Sequence, residues 1–94
     1  MAGASSYDWR IDLDALVFSH PASGSRCFVH RLAFRALTRN ASPTAQDCMR
    51  WFATHRAAFE AAADEKAGCG PVPGNAFNLN SREIRRALRI LRTR

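Results

Sequence analysis

Ninety-four residues hold one domain and leave no room for a second. An apolar fraction of 47% beside 23% charged residues excludes a disordered chain, and no apolar run is long enough to span a bilayer. The net charge of +6 is concentrated at one end: residues 82–94 carry six arginines and one glutamate, while residues 1–81 are close to neutral. Arg and Ala both have GC-rich codons, which weakens a functional reading of Arg over Lys. A chain this short buries a modest share of its surface, so a homodimer is expected. The three cysteines, Cys27, Cys48 and Cys69, are odd in number and widely spaced, with no disulfide framework or CxxC pair. The opening "MAGASSYDWR" has no apolar segment of a signal peptide. These features predict a cytoplasmic protein with reduced thiols and no membrane contact.

Residues 1–6 are small and polar and predict a frayed end. In "WRIDLDALVF" Trp9, Ile11 and Leu13 alternate with Arg10, Asp12 and Asp14, then an apolar run follows. "HPASGS" supplies turn residues and "RCFV" a second strand, so a hairpin centred on residues 20–25 is predicted. The next segment reads as a short helix from about residue 31 to Asn40. Leu32, Ala33, Ala36 and Leu37 form one face, with Arg31, Arg35 and Arg39 turned away. A long helix over residues 43–67 has Ser42 as cap, Pro43 at its first position and Gly68 as stop. Cys48, Met49, Phe52, Phe59 and Ala63 make its apolar stripe, and Arg56 falls inside that stripe. "CGPVPGN" is a loop and "AFNL" a short strand. Asn80 or Ser81 caps the last helix, and with Asn80 as the cap Glu83 has the spacing to reach back. The last helix then places Ile84, Ala87, Leu88 and Leu91 on one face and Arg82, Arg85, Arg86 and Arg89 roughly opposite. The order predicts an α+β domain: a small antiparallel sheet, built from the hairpin and a short later strand, with three helices packed on one face.

Two stretches, "LVFSHPASGSRCFVHRLAFRAL" and "FATHRAAFEAAADEK", resemble a small bacterial family, domain-of-unknown-function family 1488. In the second stretch the residues that carry the likeness are Phe52, Arg56, Phe59, Glu60 and Lys66. The likeness covers about residues 15–67. His30 stands where members often carry Ser or Thr, and the basic helix at 82–94 is longer than in the family. The resemblance implies a fold and no established activity.

No catalytic or metal constellation emerges. Cys27 and His30 form one loose pair where a structural zinc site needs two convergent pairs, and no glycine-rich phosphate loop follows a strand. No cofactor is expected. Arg56 is a candidate ion-pair or anion site, with Glu60, Asp8, Asp12 and Asp14 as carboxylate partners, or else a residue whose stem lies on the core. Arg82, Arg85, Arg86 and Arg89 are a candidate surface for nucleic acid or another partner. The sequence is read as a non-enzymatic, dimeric protein–protein interaction module. The alternative is a sequence-tolerant nucleic-acid binder that uses the basic terminal helix.

Overall fold

Four aromatic rings fix the architecture. Phe18, Phe34, Phe52 and Phe59 are all essentially inaccessible to water and come from four different segments. A computed structural model describes residues 7–21, 24–68 and 76–92. Its elements are β1 (Tyr7–Arg10), β2 (Ala15–Ser19), β3 (Arg26–His30), α1 (Arg31–Thr38), α2 (Ala45–Thr54), α3 (Arg56–Gly68), β4 (Ala76–Asn78) and α4 (Ser81–Arg92). The expectations for residues 1–6, for the loop at 69–75 and for Cys69 lie outside the described residues.

The fold is α+β, as the sequence predicts, with strand order β1-β2-β3-β4. β1, β2 and β3 form an antiparallel meander. Register places Tyr7 opposite Phe18, Trp9 opposite Leu16, Leu16 opposite Val29 and Phe18 opposite Cys27. Period-two alternation therefore sends these side chains to one face, against the helices. The other face carries Asp8, Arg10, Ser19, Arg26 and His30, all exposed, around the half-buried Val17 and Phe28. β4 joins the edge of β3 in parallel, with Arg26 opposite Ala76 and Phe28 opposite Asn78. Three helices separate β3 from β4, which is the long crossover a parallel pair requires.

Four local details differ from the sequence reading. The predicted first strand is broken at residues 11–14 by a turn in which Leu13 N donates to Arg10 O and Asp14 N to Ile11 O. Asp14 takes the left-handed conformation, φ 52°, which Asp tolerates better than most residues. Ile11 is consequently 86% exposed instead of facing the core. In α1 the buried residues are Ala33 and Phe34, while Leu32 is 69% exposed, and Arg39 rather than Asn40 ends the helix in left-handed geometry. The cap of the next helix is Thr44, not Ser42: Asp47 N donates to Thr44 Oγ1 at 3.0 Å and Thr44 N to Asp47 Oδ2 at 3.1 Å. This reciprocal pair satisfies two amides at once, and the Thr44 amide holds the Asp47 carboxyl below the ordinary carboxylate range. Finally, the predicted long helix is two helices. His55 breaks it, its N–H shared between Trp51 O and Phe52 O at 3.1 Å each and its ring stacked on Trp51 at 4.0 Å. Thr54 Oγ1 donates back to Arg50 O at 3.1 Å, a side-chain contact that competes with regular helix continuation.

α4 begins as expected. Glu83 N donates to Asn80 Oδ1 at 2.8 Å and Asn80 N to Glu83 Oε1 at 2.9 Å. Ile84 and Ala87 are buried, with Leu88 and Leu91 packed at the edge of the core.

The rings of Phe52 and Phe59 lie 4.9 Å apart, and Phe59 also meets Phe34 at 5.9 Å and Phe18 at 6.3 Å. Phe59→Ala should lower stability by about 3–5 kcal/mol, through lost burial plus the cavity left behind. Ile11→Ala, on the exposed turn, should stay within about 0.5 kcal/mol of the parent. Urea unfolding followed by far-UV circular dichroism checks both. A loss below about 1 kcal/mol for Phe59→Ala would place that ring outside the core.

Candidate nucleic-acid interface

The capping box at Asn80 and Glu83 sets where α4 starts, and its apolar stripe sets how it lies. With Ile84 and Ala87 against the core, every arginine of the helix is left on the exposed side. The flanks of α4 then differ in charge.

On the α3 flank the charges alternate in sign. Arg86 pairs with Glu65 at 3.2 Å and Lys66 with Glu83 at 3.1 Å, while Lys66 Nζ also donates to Asn78 O at 2.5 Å. Arg86 is thus drawn to the α3 side and paired there with Glu65.

On the α1 flank the charge has one sign. Leu32 and Ala33 share a cleft of about 460 Å³ with Leu79, Asn80 and Ser81 at the start of α4. One turn further along, Arg85 Nη2 donates to Ala36 O at 2.8 Å. The two helices therefore lie side by side and run in the same sense. Arg35 and Arg39 of α1 are exposed, as are Arg82, Arg85, Arg89 and Arg92 of α4. Residues 31–39 contain no acid, and Glu83 of α4 is turned to Asn80 and Lys66. Among the described residues none of these six arginines is in a salt bridge. Arg35 and Arg39 were not among the candidate residues. Their signal was the four-residue spacing of Arg31, Arg35 and Arg39 on the outer side of a helix, but only the docking of α1 beside α4 joins them to the terminal arginines.

Arg85 serves two purposes. Ala36 O lies in the last turn of α1, where helix carbonyls lack partners within the helix. The Arg85 guanidinium satisfies that carbonyl and fixes α4 beside α1. The terminal arginines are thus not all free of structural work, as their exposed pattern alone suggests.

Arg31, the third arginine of the spacing, belongs elsewhere. Its guanidinium pairs with Asp14 at 2.7 Å, lies 5.3 Å from the Trp9 ring centroid and donates to Pro43 O. Together with the bond from Arg31 N to Asp14 O, this ties the β1–β2 turn to the start of α1, which has no side-chain cap from His30. The same guanidinium holds the Asp14 carboxyl below the usual range.

Arg56 is placed by its stem and by its charge. Nε donates to Glu60 Oε2 at 3.0 Å, and the guanidinium lies over Tyr7 at 5.6 Å and Phe52 at 5.3 Å. Of the carboxylates considered for it, Glu60 is in contact. A guanidinium engaged by a carboxylate and two rings is a structural clamp joining α3, α2 and β1.

His20, one of the scattered histidines considered and set aside as metal ligands, has a structural role that its spacing does not signal. It is 3% exposed and its Nε2 lies 2.5 Å from Asp64 Oδ1, which pins the β2–β3 turn to α3. Among the described residues no group of three or more His, Cys, Asp and Glu could hold a metal ion. No helix among them is long and apolar enough to cross a membrane. Cys27 and Cys48 are free and buried. Burial pushes their thiols up to about 12 and about 11, respectively.

No protein-family model, curated protein or solved structure matches the chain. The surface chemistry has to carry the functional reading.

The thiols give a direct check on the core. At neutral pH a thiol so raised holds almost no thiolate, the reactive form. With Cys69 replaced by Ser, the folded protein should resist a thiol-specific disulfide reagent, and both remaining cysteines should react when it is unfolded in guanidinium. Rapid stoichiometric labelling of the folded variant would contradict this placement.

Proposed function

We propose that the chain is a sequence-tolerant nucleic-acid-binding protein that holds the phosphate backbone on the α1–α4 arginine face. The observation that carries this reading is the convergence of six exposed arginines from two neighbouring helices, with no exposed carboxylate among them in the described residues. Such a face releases counterions from a polyphosphate, which is the main source of sequence-independent affinity. Sequence readout has little to work with. The face contains no Gln, and Asn40 at its border uses Oδ1 to accept from Ser42 N. Attachment to a membrane surface is disfavoured because the apolar side of α4 is packed into the core.

The reading carries no catalytic step, since Cys27 and Cys48 are too buried and too basic to act as nucleophiles. The protein-partner reading has one feature in its favour. Val17 and Phe28 lie side by side, half-buried, on the open sheet face between Asp8, Arg10 and Arg26, and a second copy of the chain is the partner we assign to them. The large exposed apolar side chains Ile11, Leu13, Leu32 and Ile90 are otherwise scattered. We place the protein in the cytoplasm, where its thiols stay reduced. The resemblance to the domain-of-unknown-function family would add a fold and no activity, so it does not alter this reading.

Fluorescence anisotropy with labelled DNA of about 20 nucleotides, single-stranded and duplex, tests the proposal through its salt dependence. If all six arginines meet duplex phosphates, affinity should fall about a thousandfold between roughly 50 and 200 mM salt. The variant with Arg35→Gln, Arg82→Gln and Arg89→Gln removes three arginines that are in no salt bridge among the described residues. It should melt like the parent and bind with a log–log salt slope shallower by about 2–3. Binding to neither form at low salt, or a triple variant indistinguishable from the parent, would refute the proposal.

A further inference from the structure

We infer that the arginine face is built for duplex nucleic acid rather than single strands; this rests on the reading just proposed and narrows its ligand. Proteins that hold single strands combine positive charge with aromatic rings on which bases stack, each worth about 1–3 kcal/mol, or roughly ten- to a hundredfold in affinity. Among the described residues neither helix offers such a ring, and what lies beside them is the small exposed imidazole of His30 at the α1–α4 cleft. α4 contains no aromatic residue, and the one in α1, Phe34, is fully buried against Phe59. Among the described residues, Trp51 is stacked on His55, and Tyr7 and Trp9 belong to β1. Among the described residues, no exposed Trp, Tyr or Phe ring on either helix stands beside these arginines to hold splayed bases.

The arrangement of the charges points the same way. They stand in two rows, one on each helix. Along each helix, residues four apart, such as Arg35 and Arg39 or Arg85 and Arg89, are about 5–6 Å apart at Cβ. Helices in contact have axes about 8–10 Å apart. A single strand presents one line of phosphates and can engage both rows only by wandering between them. A duplex presents two lines across a groove, about 6 Å wide for the minor and about 12 Å for the major groove of the B form, and long arginine stems bridge the difference. The rows are also rigid relative to each other. Arg85 is bonded to Ala36 O, and Ala33, Phe34, Ile84 and Ala87 are locked in one core. A rigid pair of rows meets a rigid duplex without the ordering cost that a flexible strand would add.

Duplex also has the denser charge, so any polycation favours it to some degree. The test therefore compares the intact protein with a hexa-arginine peptide. Each is titrated by anisotropy against a mixed-sequence duplex and against oligo(dT), both of about 20 nucleotides, at the same low salt. The peptide's duplex-to-single-strand ratio measures charge density alone. The protein's ratio should exceed it by about tenfold or more. A ratio equal to the peptide's, or tighter binding to oligo(dT) that still depends on Arg35, Arg82 and Arg89, would overturn the duplex inference and leave backbone binding standing. Binding to neither nucleic acid would overturn both. Polyglutamate of similar length, standing in for an acidic protein partner, should bind at least tenfold more weakly than duplex. Equal affinity would show that the face takes any polyanion and would also overturn the inference.

Discussion

The contact of Phe59 with Phe18, Phe34 and Phe52 is the constraint on which the rest of the molecule depends. One ring comes from the sheet, one from α1, one from α2 and one from α3, with centroid separations of 4.9–6.3 Å to Phe59. Stacked and edge-on ring pairs at these distances add about 0.5–1.5 kcal/mol each beyond the burial of their area. Their larger effect is geometric. A four-stranded sheet with one apolar face can be covered in several ways, and this junction selects one. It holds α1, α2 and α3 on the same side and leaves the Asp8–Arg10–Arg26 side of the sheet open. The break at His55 belongs to the same arrangement, since α2 and α3 each deliver a phenylalanine to the junction from separate segments.

Once those helices are placed, the charge distribution follows. α4 finishes the core with Ile84 and Ala87 between α3 and α1. Five of the chain's eight acids are paired in this way: Asp14 with Arg31, Glu60 with Arg56, Asp64 with His20, Glu65 with Arg86 and Glu83 with Lys66. Arg56–Glu60 lies within α3 and the other four join two segments, so these carboxylates are committed to architecture. The α1–α4 side receives arginines without acids. Exposed ion pairs of this kind contribute little each to stability. Their placement matters more for the sign of the field they leave on the opposite flank.

Features of the sequence that act locally were legible. The capping box of Asn80 and Glu83 needs only three-residue spacing, and Gly24 in the β2–β3 turn does adopt φ 74°, as its place among turn residues suggests. Of the predicted stripe, Cys48, Phe52, Phe59 and Ala63 are buried and Met49 is half-buried. Features that depend on a distant partner were not legible. Trp9, Ile11 and Leu13 alternate like a strand, and the turn at Asp14 is secured by Arg31, seventeen positions away. Phe52 and Phe59 are seven residues apart, which suits an unbroken helix equally well, so nothing in the spacing marked His55. The parallel pairing of β4 has no signature in three residues. The arginine face was half visible, since α4 shows its own basic side but not its neighbour on α1.

The central claim is that the molecule meets its ligand along α1 and α4. Amide chemical-shift mapping tests this most directly. A ¹⁵N-labelled sample titrated with short duplex DNA at low salt should shift the amides of residues 35–39 and 81–92, while those of β1 and β2 stay in place. Shifts concentrated around Asp8, Val17 and Phe28 on the open sheet face, with α1 and α4 unperturbed, would contradict the account.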